Sequence, residues 1–548
     1  MLRILLILPF NTYGGKYNNT QILKKGGEAE IPLGICYIKA YLKSKLSNIE
    51  VKTYDSNIDA INYIVNFDNN ATMNLLWKRV KTEIETFLPD IVGVSVFSHA
   101  MANEGHKVVA ICKRLNKNIT TVMGGPYPTL SYDVVMQDKN VDVVVLSEGE
   151  IVFSNLIKSI KNREPLDKIK GIVYRHNGDI KVNPLEEKIN DLDALPFPDL
   201  DDLPVELYGN LARSGWERVI DNIRPISLVS SRGCIYQCGF CATKKVWGNL
   251  RCRSARNVIA EIKCLKKKYN INFVKFNDDL FTYDSARVID ICDSLIKERV
   301  IDHWGSCGET VKSLKNKQMV KKMIESGYYV FSLAIESGCS KTLEIIKKPL
   351  QLEMVNEAIN NLRQYKEAYI GASFIVGFPF ETKEDIQETY NFAATLEVNW
   401  VSFNMFTPFP KTDLYDYCVE KKFLKNNKVK YGTLQNTSVL STPNFDKEWL
   451  FKINYYNNIK VNFVGNYSLK IHNYDLAVRE FNTVLNMVPD HAFAILYLGY
   501  CQEMLGNKDD VKLNYEKAKD IFKKDPFWSN YLKLFEKEIN EKIHYSLV

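Results

Sequence analysis

The sequence predicts an α/β chain with two sheet-containing parts, followed by a small all-α part. In the first part, short apolar stretches rich in β-branched residues alternate with segments of helix length, which is typical of a doubly wound parallel sheet. A second alternating series begins near residue 226, after an acidic and proline-rich stretch. Near residue 446 the strand pattern ends and only helical periodicity continues.

The composition is that of an ordinary globular protein. The chain has 548 residues, of which 46% are hydrophobic and 25% charged. This length suggests three or four domains of about 150 residues, and the composition excludes a disordered or fibrous chain. The net charge of +7 gives no reason to expect nucleic acid or an anionic membrane as a partner. No apolar run approaches the ~18 residues of a transmembrane segment, so we expect a cytoplasmic protein with reduced cysteines.

The first part has predicted strands at 4–8, 90–96, 120–123 and 141–146, and a predicted helix at 34–43. In such sheets, ligands bind at the carboxyl ends of the strands. The small and polar residues at these ends are therefore candidate ligand contacts: Ser95, Ser98, His99, Gly124, Gly125, Tyr127, Thr129 and Glu148. Two alternatives stay open, namely that these residues only form turns and that His99 is a core histidine.

The second part follows a predicted linker at 186–224, which lacks both helical and strand periodicity. Its strands are predicted at 226–230, 273–277, 329–335, 370–376 and 400–406. Helix-length segments separate these strands, so the pattern predicts a partial or full barrel of βα units.

The C-terminal part carries a period of 34 residues. Gly465 and Gly499 are separated by this distance, and so are Phe481 and Tyr515. The pattern resembles two tetratricopeptide repeats at about 458–491 and 492–525, with a capping helix that begins at Pro526. An ordinary helical bundle is the alternative. Basic and acidic residues balance here, so we expect no nucleic acid partner.

Three cysteines form the most informative motif. Cys234, Cys238 and Cys241 follow a predicted strand directly, at spacings of four and three. Structural zinc usually requires a fourth ligand, and Cys252 stands alone while the next histidine is His303. A cubane iron–sulfur cluster normally takes four cysteines, so three would leave one iron open to another ligand.

CxxxCxxC with an aromatic residue before the last cysteine is the signature of radical S-adenosylmethionine (radical SAM) enzymes. The chain resembles this family further at 277–281, 334–338, 371–382 and 407–412, although Lys411 stands where glycine is usual. The resemblance implies a [4Fe–4S] cluster on Cys234, Cys238 and Cys241. The residues that it implies near S-adenosylmethionine are Phe240, Asp278, Asp279, Glu336, Ser337, Gly377 and Pro379, with Asn277 as a further candidate. Alternatively, Glu336 caps a helix, and Asp278 and Asp279 belong to a solvated loop.

The family resemblance also implies the chemistry. The open iron chelates S-adenosylmethionine, and one electron cleaves the sulfonium to release a 5′-deoxyadenosyl radical that abstracts hydrogen from an unactivated carbon. The cofactor performs this reaction, while the protein orients and shields it. A reducing electron donor is therefore an expected partner.

A doubly wound domain ahead of a radical SAM domain resembles the cobalamin-binding subfamily, which includes methyltransferases and the anaerobic Mg-protoporphyrin monomethyl ester cyclase. The resemblance implies a Rossmann-like cobalamin-binding domain at 1–185, with the eight residues above as tentative contacts. A radical SAM domain at 225–430, a second linker at 431–457 and a tetratricopeptide-like domain at 458–548 would follow. The DxHxxG motif for histidine ligation of cobalt is absent from the sequence. We expect a dry cavity between the strand ends of the two sheets.

These features lead to three hypotheses. The first is cobalamin-dependent C-methylation of an unactivated carbon, on a small-molecule or peptide substrate. The second is a radical oxidative cyclisation or rearrangement without methyl transfer. The third assigns an interaction role to the C-terminal repeats, which could recruit a peptide substrate or carrier protein, or could instead pack on the radical domain as a lid or brace.

Overall fold

The computed structural model describes residues 1–11, 30–211, 223–424 and 440–543. An N-terminal sheet of seven strands has the order β2-β1-β3-β4-β5-β6-β7. The strands are β1 Leu2–Leu8, β2 Ile49–Asp55, β3 Ile91–Ser95, β4 Thr120–Gly124, β5 Val143–Val145, β6 Ile172–His176 and β7 Asp179–Val182. The helices that accompany them are α1 Leu33–Lys45, α2 Ser56–Asn66, α3 Met73–Phe87, α4 Ala102–Leu115, α5 Pro126–Val135 and α6 Gly149–Asn162.

Strands β1 to β5 are parallel, and β6 and β7 extend the sheet as antiparallel strands. The four predicted strands and the predicted helix of this part are confirmed within three residues at each end. The order reverses between β1 and β3, which is where ligands bind in open α/β sheets. The β6–β7 hairpin was not predicted, although Asn177 and Gly178, both with positive φ, mark its turn.

The middle of the chain forms a partial barrel of six parallel strands. Strands β8 Pro225–Leu228, β11 Phe273–Phe276 and β12 His303–Ser306 pair with one another, as do β13 Val330–Glu336, β14 Tyr369–Val376 and β15 Trp400–Met405. A parallel bridge between Trp304 and Tyr328 joins the two sets. A short antiparallel pair, β9 Ser231–Arg232 and β10 Arg251–Cys252, follows β8.

All five predicted barrel strands are confirmed, whereas β12 was not predicted. Its sequence, His303-Trp-Gly-Ser306, has no β-branched residue and is too short to show periodicity. The helices of this part are α7 Val205–Leu211, α8 Thr243–Trp247, α9 Ala255–Tyr269, α10 Ser285–Glu298, α11 Lys317–Glu325, α12 Ser340–Ile345, α13 Glu353–Leu362, α14 Lys383–Thr395 and α15 Asp413–Glu420.

The C-terminal part is helical, as predicted. Its helices are α16 Lys447–Ile459, α17 Tyr467–Lys470, α18 Tyr474–Met487, α19 Ala492–Met504, α20 Lys508–Lys524, α21 Pro526–Leu534 and α22 Glu536–Asn540. Helices α18 and α20 begin 34 residues apart, and α21 begins at the predicted Pro526. The first predicted repeat departs from the pattern, since α17 spans four residues and a π-helical turn at Lys460–Val464 precedes it. The tetratricopeptide interpretation and the domain boundaries stay predictions.

The helical part covers the outer edge of the barrel. The side-chain amide of Asn462 accepts a hydrogen bond from the Val401 nitrogen and donates one to the Val401 oxygen, each at 2.8 Å. Val401 lies in β15, the last strand of its sheet. The ring of Phe463 packs on Trp400, with 5.7 Å between centroids. Backbone groups of an edge strand otherwise invite pairing with another chain, and the contacts of Asn462 cover two of these groups.

The acidic stretch of the first predicted linker is held against helix α1. The buried ammonium of Lys39 lies 3.0 Å from an Asp199 carboxylate oxygen and 2.6 Å from one of Asp202. The half-exposed Lys43 contacts Asp199 at 2.7 Å. Among the helices described, none is long and apolar enough to cross a membrane.

We expect Lys39→Met to lower the free energy of unfolding by about 3 kcal/mol, because it leaves two carboxylates without their buried cation. Lys43→Met is the matched control and should cost less than about 1 kcal/mol, since exposed pairs contribute little. Urea denaturation followed by circular dichroism measures both. Equal midpoint shifts for the two variants would contradict this account of the linker.

Candidate active site

A cavity of about 710 Å³ lies between the two sheets. Its wall includes Ser95 and Gly124 from the carboxyl ends of β3 and β4, and Asn277 and Cys307 from the ends of β11 and β12. The carboxyl ends of both sheets therefore open onto one space, and the predicted position of the cavity is confirmed. Its volume lies within the range of about 300–1,000 Å³ that is usual for ligand pockets.

The loop after β4 requires glycine. Gly125 has a φ of +104°, and a Cβ at this position would lie 2.7 Å from the Val96 carbonyl oxygen. The Thr129 hydroxyl donates to the Gly125 oxygen and accepts from the Ser147 nitrogen, each at 2.8 Å. The loops after β4 and β5 are thus joined beside the cavity, and their backbone comes close to any ligand that the cavity holds.

The structure divides the eight candidate cobalamin contacts into two groups. Ser95, Gly124 and Gly125 line the cavity. Ser98, His99, Tyr127, Thr129 and Glu148 do not appear among the described residues of its wall. Four residues of the second group, all except Ser98, are buried. Contact with cobalamin stays a prediction for all eight.

His99 has the surroundings of the core histidine that the sequence left as an alternative. Its Nε2 lies 3.0 Å from the Ser131 hydroxyl, and its ring packs edge-on against Tyr127 with 4.8 Å between centroids. Burial lowers the pKa of His99 to about 4, so the ring is neutral at pH 7.

Glu148 belongs to a buried ion-pair network between the domains. Its two carboxylate oxygens accept from the Arg251 guanidinium at 2.9 and 3.0 Å, and Arg232 lies 3.4 Å away. Arg232 also donates to Glu150 at 2.6 Å. Burial works to raise the pKa of Glu148, but the two guanidinium groups outweigh it and the pKa is lowered. The sequence did not reveal the roles of Arg232, Arg251 and Glu150, because their partners lie far apart in the chain.

The cysteine loop is fixed by its backbone, which leaves the thiols available. Gly233 has a φ of +85°, and a Cβ there would lie 2.5 Å from the Asn249 oxygen. The Gly239 nitrogen donates to the Ile346 oxygen at 2.8 Å. Phe240 packs on Phe378, with 5.8 Å between ring centroids, in an apolar cluster at the barrel end. Contact of Phe240 with S-adenosylmethionine stays a prediction.

The three thiols lie near one another on this loop. Cys234 and Cys238 are half-buried and Cys241 is exposed. Burial raises the pKa of Cys234 and Cys238, and the nearby thiolate of Cys241 raises both further. No three His, Cys, Asp or Glu side chains of the described ranges converge on a single metal ion. A cubane does not require such convergence, since each thiolate binds a different iron, so the donor set fits a [4Fe–4S] cluster.

Lys348 and Glu336 accompany the thiols. The Lys348 ammonium donates to a Glu336 carboxylate oxygen at 3.1 Å. Burial works to lower the pKa of Lys348, but the charges of Glu336 and Cys238 outweigh it and the pKa is raised. Glu336 lies at an irregularity between β13 and β14 and has a φ of +71°. Non-glycine residues in this region are costly and concentrate at functional sites, which supports the predicted role of Glu336 without testing it.

The two aspartates after β11 differ in their surroundings. Asp278 is 3% exposed and accepts hydrogen bonds from the Ser230 nitrogen and from the Ser230 and Ser231 hydroxyls, at 2.5 to 2.7 Å. The solvated-loop alternative is therefore wrong for Asp278, which fastens the end of β8. Asp279 lines the cavity and accepts from the Thr243 hydroxyl at 3.2 Å. The Asp279 side chain is exposed at the wall of the cavity, and its partial loss of hydration there raises its pKa.

The turn after β14 is built around Glu381, a residue that the sequence did not single out. One Glu381 carboxylate oxygen accepts from the Gly377 and Phe378 nitrogens at 2.8 and 2.9 Å, and the other accepts from the Thr342 hydroxyl at 3.2 Å. Burial raises the pKa of Glu381 to about 8. Gly377 has a φ of +81°, and a Cβ there would lie 2.3 Å from a Leu450 methyl group of helix α16.

Ser337 and Pro379 are both buried. The Ser337 hydroxyl lies 2.9 Å from that of Thr389 and accepts from the Cys339 nitrogen at 3.1 Å. The Ser337 hydroxyl is thus engaged in hydrogen bonds beside this turn. Contacts of Ser337, Gly377 and Pro379 with S-adenosylmethionine stay predictions.

Two family models match the chain. Residues 228–393 match the Radical SAM superfamily, and residues 21–157 match the B12 binding domain. The chain thus contains a radical SAM domain, and a B12-binding domain lies ahead of it. The matches to these two families confirm the predicted cofactors, which are a [4Fe–4S] cluster, S-adenosylmethionine and cobalamin.

Related proteins agree with this assignment. The chain is 29% identical over 456 residues to an uncharacterized methyltransferase of Pyrococcus horikoshii, covering 83% of this chain and 91% of the relative. It is 29% identical over 408 residues to the anaerobic magnesium-protoporphyrin IX monomethyl ester cyclase of Rubrivivax gelatinosus, covering 72% and 68%. It is 26% identical over 446 residues to the cytidylyl-2-hydroxyethylphosphonate methyltransferase of Streptomyces wedmorensis, covering 75% and 82%.

A solved structure has the same fold. The cobalamin-dependent S-adenosylmethionine radical enzyme OxsB, with aqua-cobalamin and S-adenosylmethionine bound, superposes with a TM-score of 0.66 at 16% identity. The superposition covers 99% of this chain and 80% of that one. The predicted fold class is confirmed on this evidence.

Cys238→Ala should abolish both iron binding and 5′-deoxyadenosine formation, because a cubane cannot be held by two of these thiols. Cys252→Ala is the matched control: this half-buried cysteine lies on β10, outside the motif, and its loss should leave both properties unchanged. Iron per chain and 5′-deoxyadenosine are measured after anaerobic reconstitution. A Cys238→Ala protein with normal iron content would refute the assignment of the triad.

Glu381→Ala should destabilise the protein by about 3 kcal/mol, because it leaves three buried donors without an acceptor. Glu381→Gln should cost less than about 1 kcal/mol, since the amide oxygen can accept both nitrogens and the amide nitrogen can donate to Thr342. Urea denaturation of the two variants makes the comparison. Equal losses would mean that the charge, rather than the hydrogen bonds, holds the turn.

Proposed function

We propose that this protein is a cobalamin-dependent radical SAM methyltransferase that methylates an unactivated carbon. The observation that carries the proposal is the single cavity onto which the strand ends of both domains open. Methyl transfer by two cofactors requires both to reach one substrate carbon, and a cavity shared by the two domains meets this requirement.

Residues of both domains would hold the cofactors. Cys234, Cys238 and Cys241 would bind the cluster, whose open iron provides the reductive cleavage of S-adenosylmethionine when the cluster is present. Glu336 and Asp279 would contact S-adenosylmethionine beside it. On the opposite wall, Ser95, Gly124 and Gly125 would let cobalamin approach the backbone closely.

The remaining residues would orient these groups and exclude water. Arg232 immediately precedes the cysteine loop and pairs with Glu150 of the B12-binding domain. This pairing would keep the loop facing the cavity. The positive charge of Lys348 would offset the negative charge of cluster thiolates.

The methyltransferase relatives of Pyrococcus horikoshii and Streptomyces wedmorensis support methylation. The cyclase of Rubrivivax gelatinosus supports a second candidate, radical oxidative cyclisation without methyl transfer. Methylation is favoured because the methyltransferase relatives are matched over 91% and 82% of their lengths, against 68% for the cyclase.

A small-molecule or peptide substrate, a reducing electron donor and a cytoplasmic location complete the proposal. For the helical part, the contacts of Asn462 and Phe463 with the barrel support a bracing role. Recruitment of a protein partner through tetratricopeptide-like repeats is the other candidate for the same part.

The test is cofactor content and product analysis of anaerobically purified protein. We expect about one cobalamin per chain, and we expect S-adenosylmethionine with reductant to yield both S-adenosylhomocysteine and 5′-deoxyadenosine. The first product reports methyl transfer and the second reports radical formation. Bound cobalamin is measured by absorbance, and both products by mass spectrometry. 5′-Deoxyadenosine alone, from a cobalamin-free protein, would exclude methylation and favour the second candidate.

A further inference from the structure

Lys411 lies where the radical SAM domain meets the B12-binding domain. Its ammonium donates to the Thr129 carbonyl oxygen at 2.8 Å and lies 4.5 Å above the Tyr132 ring. Nearby, Phe409 lies 6.4 Å from the ring centroid of His99. The loop after the last barrel strand is thereby attached to helix α5, which follows β4.

The contacts of Lys411 are made at a conformational cost. Lys411 has a φ of +65°, in the left-handed region where a side chain is unfavourable and where glycine is the usual residue. Glycine would relieve the backbone but would lose the ammonium and both of its contacts. A strained residue persists only where its surroundings hold it in place, so the contacts of the amine must matter here.

Thr129 also bonds to a second loop, the one that follows β5 and contains Ser147. Its hydroxyl donates to the Gly125 oxygen and accepts from the Ser147 nitrogen, which uses its single donor and one acceptor position. Ser147 also has a left-handed backbone, with a φ of +66°. Gly125 and Ser147 both line the cavity.

Ser147 in turn contacts the radical SAM domain. Its hydroxyl donates to the Val246 oxygen at 2.5 Å, and the Lys188 ammonium donates to the same oxygen at 2.6 Å. Val246 lies in helix α8, which directly follows the cysteine loop. Hydrogen bonds thus run from Lys411 through Thr129 and Ser147 to Val246, and we call these four residues the interdomain circuit.

We propose that the interdomain circuit sets the position of the B12-binding loops relative to the cysteine loop, with Lys411 and Thr129 as positioning residues. This inference rests on the proposed function, because it concerns the relative placement of two cofactors. Thr129 then acts through Gly125 and Ser147, instead of contacting cobalamin itself. The circuit works by geometry and requires no proton or electron transfer.

The first experiment uses full-length protein with its cluster and hydroxocobalamin bound. S-adenosylmethionine and reductant are added, and the ratio of S-adenosylhomocysteine to 5′-deoxyadenosine is measured. Formation of 5′-deoxyadenosine requires the radical SAM domain alone, whereas methyl transfer requires both cofactors in register. Lys411→Met should lower the ratio about tenfold, the lower end of the effect expected when one charge-assisted hydrogen bond is lost.

Two further variants separate positioning from stability. Lys411→Gly relaxes the backbone and removes the amine, so its ratio should be as low as that of Lys411→Met even if the protein is more stable. Lys268→Met is the matched control, because Lys268 makes an exposed ion pair with Asp201 of the linker, and its ratio should equal that of the wild type. A wild-type ratio in Lys411→Met, or recovery in Lys411→Gly, would overturn the inference.

The second experiment needs no cofactor activity. The Ser147 amide hydrogen is bonded to the Thr129 hydroxyl, so its exchange with deuterium reports the circuit directly. Thr129→Val should raise this exchange rate about tenfold, whereas Thr129→Ser should keep it within about twofold. Lys411→Met should also raise the exchange rate of the Ser147 amide. The Lys411 amine bonds to the carbonyl of Thr129 and not to its hydroxyl, so this effect would be transmitted through Thr129.

The two experiments fail in different ways. A wild-type protein that forms no S-adenosylhomocysteine contradicts the proposed function. The exchange rate of the Ser147 amide then tests the interdomain circuit independently of that function. Unchanged Ser147 exchange in both Thr129→Val and Lys411→Met would contradict the circuit, whatever the enzyme produces.

Discussion

The arrangement of this molecule depends on a small group of buried charges between its two sheets. Arg232 and Arg251 of the barrel pair with Glu148 and Glu150 of the N-terminal domain, and all four side chains are at most 12% exposed. Buried charges that lose their partners are strongly unfavourable, so separating the domains would be costly. Because Arg232 lies two residues before Cys234, the same pairing that docks the domains also directs the cysteine loop.

Three non-glycine residues with a left-handed backbone belong to the segments that build the candidate site and the contact between the domains. Ser147, Glu336 and Lys411 are non-glycine residues with φ between +65° and +71°. Ser147 and Glu336 lie just after a strand or at its end, and Lys411 lies in the loop that follows β15. The radical chemistry requires atoms to be held within tight limits while water is excluded. Such strain is maintained only by surrounding contacts, and the ion pairs and hydrogen bonds between the domains provide them.

The cysteine triad, the strand pattern and the overall fold could be predicted because their signals are local. Cys234, Cys238 and Cys241 fall within eight residues, and parallel strands buried on both faces appear as continuous apolar runs. The edge strand β2 was missed because it has only one buried face, so polar residues interrupt its apolar pattern.

The contacts between the domains could not be predicted, because they join residues far apart in the chain. Arg232 and Glu150 are 82 positions apart, and Lys411 and Thr129 are 282 apart. A single sequence contains no signal for such pairs. Lys411 did carry one indirect signal, since it stood at a position where glycine is usual, and its left-handed backbone explains that preference. Glu148 was noticed for its place after β5, but its partners could not be inferred.

The cover that Asn462 gives to strand β15 also bears on how the chain folds during synthesis. Val401 leaves the ribosome 61 residues before Asn462. At a synthesis rate of about 5–20 residues per second, the edge of the barrel stays uncovered for roughly 3–12 s. During that interval a nascent barrel presents unpaired backbone groups to neighbouring chains. The helical part therefore covers the barrel edge only after the barrel itself has been made, and removing this part should be more damaging to yield than to chemistry.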